Sequence, residues 1–384
     1  IFKGTVLPAK KREYGTTHAT IDKPNRILKN LDKKQKVWMS HGDTVYKLPN
    51  TFEILAHTEN APVAAFKHKE KPIYGLQWHP EVIHTENGTK MIKNFIFEVC
   101  RCKANWKIED FISKAVKETR MKVGGGKAIV ALSGGIDSST VTALTAQAIG
   151  KNLTAVFVDH GFMRENEPKF VKTTFEKMPI NFISVNARKR FLNRLGGITD
   201  PEQKRKVIGE EFVRVFEEVA EKVGAEYLIQ GTIYPDRIES GFRKFSDKIK
   251  THHNVAGLPT KMKFKDIIEP LKDLYKDEVR KLAKKLGLPR KIVERQPFPG
   301  PGLAVRIIGE VTKEKIDRVK RADAIVTEEI ERSGLKKDLW QYFAVLTDTK
   351  STGVKGDARA YGYTIVVRAV ESKEAMTASF AKIP

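Results

Sequence analysis

Cysteine is nearly absent: the 384 residues contain two, Cys100 and Cys102, one residue apart. Two are too few for a disulfide framework or a four-ligand zinc site, and they fit a reducing compartment, so a cytoplasmic location is expected. Long apolar runs are also missing. The longest, 128–132 and 153–158, are strand-sized and far short of the ~20 residues that cross a bilayer, so no membrane span is expected. There is no internal repeat and no low-complexity tract, and proline is limited to 17 residues, which excludes a fibrous or disordered chain. No signal peptide is visible, and because residue 1 is Ile rather than Met, the natural protein is expected to start upstream.

What the chain has in excess is positive charge: 70 Lys+Arg against 47 Asp+Glu, a formal +23. Such a balance suits polyanionic partners, either nucleic acid or phosphorylated small molecules. The excess is spread along the chain rather than gathered in a tail, which favours a lysine-rich surface over a nucleic-acid face. With 40% hydrophobic residues, the length suffices for two or three globular domains.

Residues 1–103 read as short strands joined by turns, with β-type runs at 37–39, 52–57, 63–66 and 73–78, then a helix from about 90 to 99. The stretch 105–123 has apolar residues at helical spacing and stops at Gly124-Gly125-Gly126, as a connector would. Strand and helix then alternate: strands at 127–132, 153–159, 182–185 and 226–230, helices at 138–149, 168–178, 201–223 and 276–286. Alternation of this kind implies an α/β fold built on a doubly wound parallel sheet. The turn cluster Pro297-Phe298-Pro299-Gly300-Pro301-Gly302 marks the next boundary, and beyond it the pattern is strand, helix, strand, strand, an α+β segment. The expected domains are 1–103, 104–296 and 297–384.

The sharpest motif is Ser133-Gly134-Gly135-Ile136-Asp137-Ser138-Ser139, between a buried strand and a helix. Two glycines allow close backbone approach, three hydroxyls donate hydrogen bonds, and the helix N-terminus adds unpaired N–H groups and a positive dipole end. Those are the parts of a pyrophosphate cradle. The Lys-Ser/Thr ending of a Walker loop is absent, so release of pyrophosphate from ATP fits better than γ-phosphoryl transfer. Other segments have physical readings of their own. Lys250, His252 and His253 form a donor cluster suited to a flap over phosphates, or else a plain surface loop. Asp236 and Glu239 follow a strand's C-terminal end, where open α/β sheets bind ligands, but also fit a solvated turn and a cap. Lys204, Arg205 and Lys206 either grip a nucleotide phosphate or decorate a helix face. Trp78-His79-Pro80-Glu81 places a carboxylate two residues after a histidine at a strand tip, suiting an imidazole base oriented by Glu81, although a lone His-Pro-Glu is a weak signal.

The loop 133–139 resembles that of the ATP-pyrophosphatase superfamily. Together with Val158-Asp159-His160-Gly161, Asp200-Pro201-Glu202-Gln203-Lys204-Arg205-Lys206, Gln230-Gly231-Thr232, Asp236 to Ser240, Ile249 to Asn254, Phe298 to Leu303 and Gly353 to Arg359, it resembles the GMP synthase family in order and spacing. The resemblance runs essentially end to end. Ser40-His41-Gly42-Asp43 with His79 and Glu81 is similar to a triad-type glutaminase, so the first segment is expected to be part of a glutamine amidotransferase domain.

The resemblance implies a ligase that converts xanthosine monophosphate (XMP) to GMP. ATP activates the base as an adenylyl intermediate, pyrophosphate and then AMP depart, and ammonia comes from glutamine. It further implies that Ser133, Gly134, Gly135, Ile136, Asp137, Ser138, Ser139, Asp159 and Gly231 bind ATP and pyrophosphate, with Asp137 also holding Mg²⁺. Lys250, His252 and His253 join His79 and Glu81 as catalytic residues, while Arg205, Asp236, Glu239, Asp357 and Arg359 hold XMP. The third segment would be an incomplete dimerisation and XMP-binding domain, giving a homodimer, with no nucleic-acid or membrane partner.

The family's nucleophilic cysteine lies upstream of Ile1, and neither Cys100 nor Cys102 sits in a nucleophile elbow, so this stretch is expected not to hydrolyse glutamine. The family's C-terminal Lys-Pro-Pro segment lies beyond Pro384. The rival within the superfamily is a tRNA-modifying ATP pyrophosphatase, but residues 104–384 lack both a relay cysteine and aromatics interleaved with Lys/Arg. A nucleotide-binding regulator without catalysis is a second rival, and the intact loop speaks against it. A split arrangement, with the glutaminase on another chain, is disfavoured by the presence of His79 and Glu81.

Overall fold

The computed structural model describes residues 2–239, 264–372 and 378–384. Its backbone groups into two units, Ile1–Trp106 and Lys107–Pro384. In the first, β1 (Thr5–Ile21), β2 (Lys34–Lys47), β3 (Phe52–His57), β4 (Ala65–His68) and β5 (Tyr74–Leu76) form an antiparallel sheet in the order β2-β1-β3-β4-β5.

Sequence patterning suggests only short strands here, whereas β1 and β2 make a long hairpin whose register runs from Thr5 opposite Lys47 to Thr20 opposite Lys34. Most of β1 is exposed on both faces, with only Glu13, Ala19 and Ile21 buried, so no alternating apolar face announces it. Its inner end belongs to a core with Val37, Met39, Leu55, Trp78 and Met91. The helix expected over 90–99 is instead α1 (Gly88–Asn94) followed by a π-helical turn, Phe95–Val99. The change comes just after Asn94, whose side-chain amide is tied to the carbonyls of Ile27 and Lys29, both at 3.1 Å.

The second unit opens with α2 (Ile108–Val123), β6 (Ala128–Ala131), α3 (Ile136–Ile149), β7 (Leu153–Asp159), α4 (Glu167–Phe175), β8 (Asn181–Asn186), α5 (Arg188–Arg194) and α6 (Pro201–Val223). It continues with β9 (Tyr227–Ile229), α7 (Tyr234–Glu239), β10 (Asp266–Ile268), α8 (Lys276–Lys285) and α9 (Arg290–Val293). The five strands are parallel in the order β10-β9-β6-β7-β8.

Both faces of the sheet are covered. Ala128, Val130 and Phe157 face a core with α3 and α8, while Ile129, Val156 and Val158 face a second core with α5 and α6. This two-sided burial is why β7 reads as a continuous apolar run, and each large side chain so buried stabilises the fold by about 1.5–3 kcal/mol. The helix boundaries follow local chemistry. In α6, Asp200 accepts from the Gln203 N–H at 2.8 Å, Pro201 begins the first turn, and Gly224 ends the helix in the left-handed region.

After a 3₁₀ turn, Gly302–Arg306, come α10 (Lys313–Arg332), β11 (Gln341–Lys355), β12 (Ala358–Glu371) and β13 (Ser379–Phe380), the three strands antiparallel. The first strand expected in this segment is reduced to a single parallel bridge between Ile307 and Leu346. Leu303, Ala304, Ile307 and Leu346 pack in the core that covers one face of the parallel sheet, with Leu303 and Ala304 in the 3₁₀ turn. No described helix is long and apolar enough to cross a membrane.

Candidate active site

In the order β10-β9-β6-β7-β8 the chain reverses its direction of winding between β6 and β9, and open α/β sheets bind ligands at the carboxyl ends of strands flanking such a point. The loop Ser133 to Gly135 leaves β6 there and leads into α3. A Cβ on Gly231, just past β9, would lie 3.2 Å from the Asp137 carbonyl carbon and oxygen and 3.3 Å from the Ser138 nitrogen. A side chain at 231 would press on the first turn of α3, which glycine leaves free.

The loop is folded on itself by its hydroxyls. Ser133 Oγ and Ser138 Oγ are 2.9 Å apart, the Ser133 N–H donates to Ser138 Oγ at 3.2 Å, and the Gly135 N–H donates to Ser133 Oγ at 3.3 Å. Gly135 occupies the N-cap of α3 and has no capping side chain, so the first-turn N–H groups are left for an anion, with the helix dipole behind them. Ile136 is buried in the core and offers the site only its backbone. Ser139 is fully buried, and its hydroxyl has no partner among the described residues.

Asp137 stands on this first turn. One carboxylate oxygen pairs with Lys276 at the start of α8, while Oδ1 is buried with no hydrogen-bond partner among the described residues. An orphaned buried carboxylate oxygen beside an anion cradle is the donor that a hard cation takes, with phosphate oxygens completing its shell. Among the described residues no cluster of three or more His, Cys, Asp or Glu forms a cation cage, so a metal here would depend on its substrate for ligands.

Asp159, at the end of β7, is largely committed elsewhere. Oδ1 accepts from the Gly161 N–H at 3.0 Å, and Oδ2 accepts from Arg188 Nε at 2.9 Å and Nη2 at 2.7 Å, which raises the Arg188 pKa. Next to it, His160 is fully enclosed against Phe162 and Phe191. Desolvation, with help from the nearby Lys320 charge, pushes its pKa down to about 4 against the opposing pull of Asp159.

The XMP candidates are dispersed. Arg205 pairs with Glu202 on α6. Asp236 Oδ2 accepts from the Ile233 N–H at 3.0 Å at the start of α7, and Glu239 ends that helix. Asp357 lies in the tight turn joining β11 to β12, with the exposed Arg359 two residues on, its Nη2 3.4 Å from Thr352 Oγ1. Lys204 is committed inside the fold. It is fully buried, donating to the carbonyls of Ile307 at 2.8 Å and Gly309 at 2.5 Å, and so clamps α6 to the segment after the 3₁₀ turn. Lys250, His252 and His253 lie outside the described residues.

In the first unit, His79 Nδ1 and Glu81 Oε1 are 2.7 Å apart, with both side chains well exposed. The pairing leaves Nε2 as the outward nitrogen of an oriented imidazole. His41, the other histidine of the first segment's motif, is tied instead to a buried cluster: its Nε2 lies 3.1 Å from Glu13 Oε2, and Thr58 Oγ1 donates to Glu13 Oε1 at 2.9 Å.

Comparisons with known proteins bear on both units. Residues 1–99 match the class-I glutamine amidotransferase family, 104–289 the PP-loop domain, and 328–384 the GMP synthase C terminal domain, with an NAD synthase match over 262–325. The glutamine-hydrolysing GMP synthase of Caldicellulosiruptor saccharolyticus is 54% identical over 383 residues, 99% of this chain and 75% of that protein. This chain belongs to the glutamine-hydrolysing GMP synthase family. Its likeness to the family's enzyme from Treponema denticola is 53% over 382 residues, 99% of the chain and 73% of that protein. For the one from Finegoldia magna it is 51% over 384 residues, all of the chain and 75% of that protein. Family membership sets aside the tRNA-modifying alternative.

Three residues at the family's loop were not anticipated from sequence. Lys276 holds Asp137, Arg295 Nη1 donates to the Gly134 carbonyl at 2.7 Å, and Val171 packs on Gly134. Lys276 opens an amphipathic helix and Arg295 precedes the Pro-Gly turn, but nothing in their spacing ties either to a loop more than a hundred residues upstream.

Proposed function

We propose that this chain carries out the GMP synthase reaction at the loop 133–139. ATP is bound with its triphosphate across the loop, and the oxygen on carbon 2 of XMP attacks the α-phosphorus. The bond to pyrophosphate breaks, and an adenylyl intermediate forms. Ammonia then adds at carbon 2, loses its proton, and expels AMP to leave GMP. The observation that carries this reading is the uncapped α3 N-terminus, closed in by Gly231 and bearing the orphaned Asp137 oxygen, in a member of this family.

In this reading the first-turn N–H groups and the Ser133 and Ser138 hydroxyls hold the pyrophosphate as negative charge gathers on it, and such preorganised donors stabilise a transition state more than a ground state. Gly134, Gly135 and Gly231 allow the approach, Ile136 contributes its N–H, and Ser139 supports the turn from within. Asp159 acts by fixing Arg188 and the Gly161 turn. Asp137 would hold Mg²⁺, which when bound neutralises charge on the leaving pyrophosphate. Arg205, Asp236, Glu239, Asp357 and Arg359 are assigned to XMP, and Lys250, His252 and His253 to a flap over the phosphates. His79 and Glu81 are assigned to glutamine hydrolysis as base and orienting acid.

The functional segments are then 1–103, 104–296 and 297–384. The exposed apolar side chains of β12, Ile365, Val366 and Val367, support a homodimer through the third segment. Two free, unpaired cysteines and nucleotide substrates support a cytoplasmic location.

The test is GMP formation from XMP and Mg-ATP, with ammonium or glutamine as nitrogen donor. Ammonium-supported turnover with one pyrophosphate released per GMP is expected. No pyrophosphate release with XMP and ammonium present overturns the reading.

A further inference from the structure

Gly134 is gripped from behind by groups that the reaction as derived does not use. Its φ is +75°, and a Cβ there would lie 2.6 Å from Val171 Cγ2. Arg295 Nη1 donates to its carbonyl at 2.7 Å. Val171 sits one turn beyond Glu167 on α4, and Glu167 Oε1 holds Arg295 Nη2 at 3.0 Å. Thus α4 fixes Gly134 twice, directly and through the guanidinium.

Arg295 is itself locked in place. It lies over the Phe298 ring, 5.4 Å from the centroid, and its side chain is 13% exposed. Burial pulls its pKa down and the nearby Arg164 does the same, so the Glu167 carboxylate is what keeps this charge tolerable. Arg164 in turn reaches Asp323 Oδ2 at 3.0 Å, and Asp323 Oδ1 takes Arg306 at 2.9 Å and the Ala344 N–H on β11 at 3.1 Å. The network runs from the loop into the C-terminal sheet, and a guanidinium held at so many points is an expensive way to fill space.

Its purpose follows from peptide geometry. A trans peptide is planar, so the carbonyl of Gly134 and the N–H of Gly135 point in opposite directions. Drawing the carbonyl back onto Arg295 turns the Gly135 N–H the opposite way, where among the described residues its one partner is the Ser133 hydroxyl at 3.3 Å. We propose that Arg295 is a positioning residue for the pyrophosphate loop, setting the 134–135 peptide so that the Gly135 N–H faces the leaving pyrophosphate. This rests on the pyrophosphate reading of the loop given above.

The experiment is calorimetric titration of the full chain with inorganic pyrophosphate, alongside KM for ATP and for XMP in ammonium-supported GMP formation. Arg295→Met keeps much of the stem and removes the donors. Pyrophosphate affinity is expected to fall about tenfold and KM for ATP to rise equally, the scale of one charge-assisted hydrogen bond, with KM for XMP unchanged. Arg295→Lys, which cannot bond Gly134 and Glu167 in one plane, is expected to lose about threefold. Unchanged pyrophosphate affinity in Arg295→Met overturns the proposal, as does a parallel rise of both KM values with a lowered melting temperature, the mark of a merely structural residue. If Arg295→Met does not fold, Arg295→Lys decides, and wild-type affinity in it overturns the proposal. A wild-type chain that binds neither pyrophosphate nor ATP overturns the parent reading instead.

Discussion

The two candidate centres of this chain are built in opposite ways. His79 and Glu81 are neighbours in sequence, joined by one 2.7 Å contact on an exposed surface. The loop 133–139 is approached or held by Gly231, Lys276, Arg295 and Val171, each from a different part of the fold. A base needs one oriented nitrogen, which a single carboxylate supplies. A cradle needs several N–H groups aimed at once, and that requires a peptide to be held from behind as well as approached from in front.

The sharpest way to break this contrast is at Asp137. Asp137→Asn removes the charge while keeping the shape, and XMP-dependent pyrophosphate release is expected to drop about 10³-fold with the melting temperature little changed. A loss under tenfold would mean that the buried carboxylate oxygen holds nothing in the reaction. At the exposed centre the loss is expected to be selective. In a protein that uses glutamine, His79→Asn should cut glutamine-supported GMP formation about 10²-fold and leave ammonium-supported formation intact, read from paired rates. Equal loss with both donors would show that His79 does not belong to a separate glutaminase centre.

A smaller effect is expected from Gly134→Ala. The left-handed φ and the 2.6 Å approach to Val171 should together cost about 1–3 kcal/mol of stability, measured by urea denaturation. Measured in a Val171→Ala background, the same glycine substitution should lose the part of its cost due to the clash and keep the part due to φ. If Gly134→Ala is neutral, the loop is not gripped as described.

A comparable effect, spread over a range of pH, is expected from one buried histidine. His160 is held neutral with a pKa of about 4, whereas the unfolded chain protonates near 6.5. Its contribution is therefore fully present above pH 6.5 and is lost as pH falls toward 4, where the unfolded state gains a proton that the folded state refuses. The loss is at most about 3 kcal/mol. Urea midpoints at pH 7.5 and 4.5 should converge more in His160→Phe than in the wild type, and an identical pH dependence in both would assign the acid loss to other groups.

The parallel-sheet region was legible in sequence because burial on both faces writes itself as apolar runs, and because helix ends carry their own chemistry, as Asp200-Pro201 and Gly224 do. The β1–β2 hairpin was not legible, since a strand exposed on both sides has no face to encode. At the candidate site the contiguous heptad 133–139 and the pair His79 and Glu81 stand out as motifs. Lys204 misled, because a lysine in a basic run looks solvated, whereas this one is buried on two backbone carbonyls.

The sequence by itself determined the α/β class, the strand-to-helix loop 133–139, and the likeness to a family, for these depend on motifs of residues close together along the chain. Tertiary structure alone decided which distant groups stand behind the cradle: Lys276 on Asp137, and Arg295 with Glu167 and Val171 on Gly134. A hydrogen bond across more than 150 residues leaves no period or spacing to read, and only the packing of α4 and the segment after α9 around one left-handed glycine brings its two ends together.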